Sequence, residues 1–187
     1  GGARPAGRAG AAAPAAVALT ARDAERLSRL AGGTPVMAVP PPFPAVLPAA
    51  AEPLPGAPAV VVLGSGGWLP NRDAQEWLEA EVWPAIARRL PAAVLHLFGG
   101  SDSFGGSGTR LVRHPAPGDV RRAFAPGSVL LVPLAIASGI RMKILEAWAR
   151  GVPVVATPEA AAGLRFEPGR ELLIAETAEE FAAAVER

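Results

Sequence analysis

Apolar residues fall along this chain in two rhythms. Ala59 to Leu63, Ala93 to Phe98 and Val129 to Pro133 are runs almost free of polar interruption, as expected of strands covered on both faces in a parallel sheet. Trp77, Leu78, Val82, Ile86 and Leu90 recur at helical spacing and predict a helix from about Asn71 to Leu90, kinked at Pro84. Further on, the pattern predicts a weaker strand at Arg110 to Val112, a short helix at Asp119 to Phe124 and a helix from Ile140 to Arg150. A strand at Val152 to Ala156, a short turn near Glu159 to Leu164, a strand at Leu172 to Ala175 and a final helix capped by Thr177 with Glu180 complete the order. Strands alternating with helices predict an α/β fold with a doubly wound parallel sheet over residues 59–187. Ligands of such sheets sit at the carboxyl ends of the strands. Two glycine-containing turns fall there, Gly64-Ser65-Gly66-Gly67 and Ser138-Gly139-Ile140.

The preceding part is organised differently. Ala15 to Thr20 and Thr34 to Val39 are short strand-like runs. Between them Arg22 to Ala31 carries Ala24, Leu27 and Leu30 at helical spacing behind a capping-box-like Thr20 and Asp23. Two short strands cannot bury their own faces, so residues 15–39 are expected to be the tail of another domain. Residues 40–58 contain eight prolines, which hold the backbone extended and read as an interdomain linker. The first fourteen residues are small, with Pro and two Arg, and lack the bulk to offset ordering entropy, so disorder is expected. A start without Met reads as a trimmed chain.

Charge and composition remove several function classes. With 18 basic and 17 acidic residues the net charge is +1, which gives no field to steer nucleic acid. Without cysteine there is no disulfide, thiolate nucleophile or sulfur-built zinc site, and His96 with His114 make a poor metal set. No apolar run approaches the roughly 18 to 20 residues that span a bilayer, so a soluble protein is expected, and the absence of cysteine fits a cytoplasmic one.

The chemistry concentrates in residues 138–164. Gly139 lets the backbone turn before a helix whose first N–H groups can receive an anion. Arg141 and Lys143 lie in its first turn, where cations oppose the helix dipole, and a bound phosphate would account for them. Lys143 and Glu146 could form an ordinary surface ion pair. Beside the buried face of Ile144, Leu145 and Trp148, however, two cations and one carboxylate suit a diphosphate and a ribose diol. Gly64 to Gly67 test poorly as a dinucleotide fingerprint, because Leu69 stands where its third glycine belongs, and no Walker-type phosphate loop occurs. A plain strand-to-helix turn is the other reading of those glycines.

Three blocks in order resemble the C-terminal, donor-binding lobe of GT-B glycosyltransferases of the group 1 type. VVLGSGGWLPNRDAQEWLEAEVWPAIARRLPAAVLHLFGG looks like the opening strand, P-N-x-D-A helix and second strand of that Rossmann-like lobe. VLLVPLAIASGIRMKILEAWARGVPVVATPEAAAGL is similar to the signature P-L-x-x-x-x-G-x-R-x-K-x-L-E-A-x-A-x-G-x-P-V-V-x-T followed by G-L, and GRELLIAETAEEFAAAVE resembles the strand and helix that follow. Together they cover about 130 residues from Ala59. ALTARDAERLSRLAGGTPVMAVPPPF looks like the last strand-helix-strand of the acceptor-binding lobe, which implies a fragment or isolated lobe.

The resemblance implies a sugar transfer from a nucleotide-diphosphate sugar to an acceptor, with retention of configuration and no metal or other cofactor. Glu146 would grip the ribose hydroxyls. Ser138, Gly139 and Ile140 would face the diphosphate, Gly64, Ser65, Gly66 and Gly67 would let the backbone approach it, and Arg141 and Lys143 would balance the departing nucleotide. A glycan or other acceptor would be held by the absent lobe, and the full enzyme could meet a membrane surface there. Many relatives carry a second glutamate eight positions before the first; here that position is Ser138, which leaves the sugar open. Three rivals remain: a non-catalytic nucleotide-sugar-binding module, a Rossmann oxidoreductase, which would prefer NAD to UDP or GDP, and a purely structural α/β module.

Overall fold

The computed structural model describes residues 15–50, 52–64, 69–99, 110–137 and 140–187. The chain divides into two compact units, Gly1–Pro41 and Pro42–Arg187. In the first, β1 (Ala16–Ala18) and β2 (Val36–Ala38) pair in parallel and are joined by α1 (Ala21–Leu30). Thr20 caps that helix, its hydroxyl accepting from the Asp23 N–H at 2.9 Å. Ala18, Thr20 and Ala24 are buried while Val17, Leu30 and Met37 are exposed, so this unit shelters little apolar surface.

The second unit is a six-stranded parallel sheet in the order β5-β4-β3-β6-β7-β8. Its strands are β3 (Ala59–Leu63), β4 (Val94–Phe98), β5 (Leu111–His114), β6 (Ser128–Val132), β7 (Val154–Ala156) and β8 (Leu173–Ile174). The helices are α2 (Leu69–Trp77), α3 (Trp83–Arg89), α4 (Met142–Ala149), α5 (Pro158–Ala161) and α6 (Ala178–Glu186), with a 3-10 turn at Val120–Ala123. The period-two geometry of the strands divides their side chains between two cores. Val61, Leu130, Val132 and Val154 pack with Phe124, Ile144 and Ala147 on one face. Val60, Leu95, Leu131 and Val155 pack with Leu78, Val82, Ile86 and Phe181 on the other. The uninterrupted apolar runs therefore do mark strands with a helix layer on each side.

Four local features differ from the sequence reading, each for a physical reason. The long helix before β4 keeps its expected buried stripe at Leu78, Val82 and Ile86. Instead of a simple kink at Pro84 it widens into a π-helical segment, Leu78–Val82, where the Trp83 N–H reaches back to the Leu78 carbonyl. Pro84 has no N–H to continue the normal ladder, and the wider turn lets the helix run on past it. Strand β5 extends to His114 and starts after Arg110, whose φ of 72° ends the incoming turn. The Arg110 guanidinium offsets that conformation by donating to the carbonyls of Ala87, Leu90, Pro91 and Ala93, the exposed end of α3. The expected turn at Glu159 is the short helix α5, started by Thr157, whose Oγ1 accepts from the Ala160 N–H. From Pro42 onward the Pro-rich stretch belongs to the second unit. The Leu47 N–H donates to Ala149 O at 2.7 Å, the Ala57 N–H to Ala92 O at 2.9 Å, and Arg150 donates to Pro48 O.

Candidate functional site

The chain runs β3, β4, β5 outward on one side and then returns to place β6 on the other side of β3. That reversal makes the carboxyl ends of β3 and β6 the topological switch point, where two connections diverge and leave a crevice. An open cleft of about 450 Å³ lies there. Leu63 and Gly64 end β3 in it, Leu134 follows β6, and Ile140, Arg141, Met142 and Lys143 bring in the start of α4. Ala116, Pro117 and Val120 close the side beyond β5.

Each wall has a local cause. Gly64 is held by its N–H to the Phe98 carbonyl at 3.0 Å and lies against Gly99. A Cβ on Gly99 would stand 2.3 Å from the Gly64 oxygen, and Gly99 has a φ of +72°, so only glycine fits at the end of β4. Thr157 fixes Leu134 by donating its hydroxyl to the Leu134 carbonyl at 2.6 Å. Helix α4 begins at Met142 with Arg141 at the cap position, two residues later than the sequence pattern predicts, and no side chain caps it.

The electrostatics centre on two cations. Arg141 is buried, with 7 % exposure, and Lys143 is half-buried. The Lys143 Nζ turns toward the sheet and donates to the Leu63 carbonyl. Burial, reinforced by the charge of Arg141, lowers the Lys143 pKa to about 8. A cation held there against its own desolvation, at the edge of an open cleft, makes Lys143 a candidate functional group.

Four predicted site residues thus converge: Gly64, Ile140, Arg141 and Lys143 share one cleft. Glu146, half-buried one turn further along α4, is not among the residues lining it. Ser65, Gly66, Gly67, Ser138 and Gly139 lie outside the described residues. Sequence reasoning missed Ala116, Pro117, Val120 and Leu134, whose apolar types carry no motif. It also missed a compositional signal: of the 18 basic residues only Lys143 is lysine, and the other 17 are arginine.

The two histidines, 18 positions apart, are neighbours in space. His114 at the end of β5 lies diagonally across from His96 in β4, and His96 Nδ1 is 3.0 Å from His114 Nε2. His96 Nε2 is 2.8 Å from the Pro55 carbonyl, so it carries the proton, and Nδ1 must accept from His114 Nε2–H. His114 stacks on Phe98 with ring centroids 4.1 Å apart. Burial, then the neighbouring His96 and Arg122, lowers its pKa. Among the described residues no group of three or more His, Cys, Asp or Glu could hold a metal ion, and no helix is long and apolar enough to cross a membrane.

Comparison with known proteins points to one family. Anabaena HepE, crystallised with UDP and glucose, superimposes with a TM-score of 0.66 at 16% identity over 92% of this chain and 52% of its own. A mutant of S. aureus TarM, crystallised with fondaparinux, alpha-GlcNAc-glycerol and UDP, gives 0.71 at 12% identity over 93% of this chain and 37% of its own. The pneumococcal O-GlcNAc transferase GtfA, in complex with UDP and GlcNAc, gives 0.67 at 13% identity over 90% of this chain and 37% of its own. The chain spans about half the length of HepE and little more than a third of the other two. At these identities the likeness is one of fold, the GT-B fold. Comparison with curated protein sequences finds no match. The family Glycosyl transferases group 1 matches residues 57–187, which hold the entire six-stranded sheet and the cleft. The chain therefore belongs to the group 1 glycosyl transferases.

Proposed function

We propose that the cleft at the β3–β6 switch point is the donor site of a glycosyltransferase and takes a nucleotide-diphosphate sugar. The observation that carries this reading is the convergence of Gly64, Arg141 and Lys143 on one open cleft. A backbone turn without side-chain bulk, two cations and a helix start are the groups that a diphosphate requires. The UDP in the crystal structures of HepE, TarM and GtfA supports the same ligand class.

In the transfer, the bond between the anomeric carbon and the diphosphate oxygen breaks as the acceptor oxygen bonds to that carbon. Negative charge then grows on the leaving nucleotide, where Lys143 and Arg141 stabilise it more in the transition state than in the ground state. The acceptor hydroxyl loses its proton in the same process, and the oxygen of the leaving diphosphate takes it up. This chemistry needs no metal, because the two side-chain cations do its electrostatic work. The apolar side formed by Ala116, Pro117 and Val120 suits the flat faces of a base, and Glu146 supplies a carboxylate for the ribose diol. The acceptor, a glycan or another hydroxyl compound, is held by groups outside the donor site. Retention of configuration, work in the cytoplasm and contact of the whole enzyme with a membrane surface belong to the same reading.

Calorimetric titration of UDP, GDP and ADP into the wild-type chain and Glu146→Ala tests it. One nucleotide is expected to bind, and Glu146→Ala to weaken it about tenfold by losing a charged hydrogen-bond acceptor. Binding of none of the three overturns the donor site, and equal binding by Glu146→Ala removes Glu146 from it.

A further inference from the structure

Behind Gly64 the cleft continues into a cavity of about 30 Å³. Leu63, Gly64, Leu134 and Lys143 line both spaces, so the two adjoin. Among the described residues, the inner cavity has one further polar side chain in its wall, Gln75 of α2. A space of this size holds one water, provided that polar groups meet it.

Gln75 is only 6 % exposed. Its Nε2 donates to Glu79 Oε1 at 2.8 Å, and Glu79 Oε2 accepts from Arg113 Nη2 at 2.7 Å. A carboxylate can only accept, so this contact fixes which end of the amide is nitrogen and leaves Oε1 as the acceptor of a side chain that lines the cavity. Lys143 brings three N–H donors, one of them directed at the Leu63 carbonyl. Lys143 and Gln75 thus line one space the size of a water, and a water there can accept from an ammonium and donate to an amide oxygen.

We propose that Gln75 is a positioning residue for Lys143: across a one-water cavity it holds the ammonium charged and at the junction with the cleft, where the anionic part of a nucleotide is bound. The proposal rests on the reading of the cleft as a donor site. The charges around Lys143 make such a partner necessary. Arg141, at the start of the same helix, opposes its charge. β3 offers a carbonyl and α2 the neutral Gln75. Glu79 and Arg113 lie beyond Gln75 and pair with each other, and Glu146 is one turn further along α4. Among the described residues no carboxylate lines the cavity, so beside the Leu63 carbonyl an amide oxygen is the acceptor that helps keep the ammonium protonated without neutralising it.

Lys143 is the only lysine, so protein labelled with 13C-lysine shows one side-chain Cε signal to titrate by NMR, with no ligand present. Gln75→Leu removes the acceptor at nearly constant volume and is expected to lower the Lys143 midpoint by about one pH unit. Gln75→Glu places a carboxylate there and is expected to raise it by about as much. A role confined to packing would move both midpoints alike or neither. UDP binding to Gln75→Leu is expected to fall about fivefold at pH 8, where less of its lysine is charged. If Gln75→Leu does not fold, Gln75→Asn withdraws the acceptor by one methylene and is expected to lower the midpoint in the same direction. Midpoints equal to wild type in the folded variants overturn the proposal. Midpoints that move as expected in a chain that fails to bind UDP sustain the Gln75–Lys143 coupling and overturn the donor-site reading instead.

Discussion

Two clusters of basic side chains border the same sheet, one at the start of α4 and one between β4 and β5, and they differ in what their polar atoms do. At the switch point Arg141 and Lys143 line an open cleft, and half-buried Lys143 donates to the Leu63 carbonyl and also lines the small cavity behind it. Between β4 and β5, His96 and His114 bond to each other, and His96 also bonds to the Pro55 carbonyl. His96 is 1 % exposed. The lesson is that burial of a titratable group does not by itself mark a site. The histidine pair lies between two strands and its atoms bond to each other and to Pro55, whereas the cationic pair lies at the start of α4 and lines an open cleft.

Lys143→Met should break the first cluster and leave the second untouched. Loss of a charged hydrogen bond to a diphosphate costs about 2 kcal/mol, or about thirtyfold in UDP affinity by calorimetry. The substitution also removes the pH dependence that Lys143 imposes. In the wild type, UDP affinity should fall as pH rises through about 8, where the folded lysine gives up its proton. Stability should move the other way. The unfolded chain keeps that proton up to its ordinary value of 10.5, so between the two the unfolded state binds more protons and folding becomes more favourable as pH rises. Urea denaturation and titration at pH 7, 8 and 9 would show the opposed trends. Parallel trends would detach Lys143 from the ligand.

His96→Leu should break the second cluster alone. It removes the buried ring that bonds the Pro55 carbonyl and His114, both of which water can still reach, at a cost of about 1 kcal/mol in urea denaturation. UDP affinity of the folded fraction should stay within about twofold of wild type. A large loss of affinity would show that the histidines belong to the cleft after all.

The smallest effect is an acid one. The folded His114 has a pKa below its ordinary 6.5, so near pH 6 the unfolded state binds more protons. The stability it contributes is complete above 6.5 and is lost as pH falls below it. Urea midpoints at pH 7 and 5.5 should therefore differ more in the wild type than in His114→Gln. An equal difference in both would place the acid sensitivity elsewhere.

Much of this was legible from one dimension. The five apolar residues of β3 and the Thr177–Glu180 capping box of α6 form as the sequence predicts, because strand burial and helix caps are decided within a few neighbours. The order of strands and helices implied an opening at the carboxyl ends of β3 and β6, and of the charged residues predicted on α4, Arg141 and Lys143 line the cleft found there while Glu146 does not. The start of β5 was misplaced by one residue because Arg110 answers to the carbonyls of α3, some twenty positions upstream. The π-helical segment escaped notice because Pro84 forbids a normal ladder without dictating how the helix avoids it.

The sequence by itself determined the layers, the family and the residues that carry charge, since each of those depends on local pattern. Only the tertiary structure decided that His96 meets His114, that Gln75 meets the same cavity as Lys143, and that Lys143 is half-buried rather than paired on the surface. Those outcomes depend on β4 lying beside β5 and on α2 crossing the end of β3, and pairings across 18 to 80 residues are set by how the sheet closes, not by spacing along the chain.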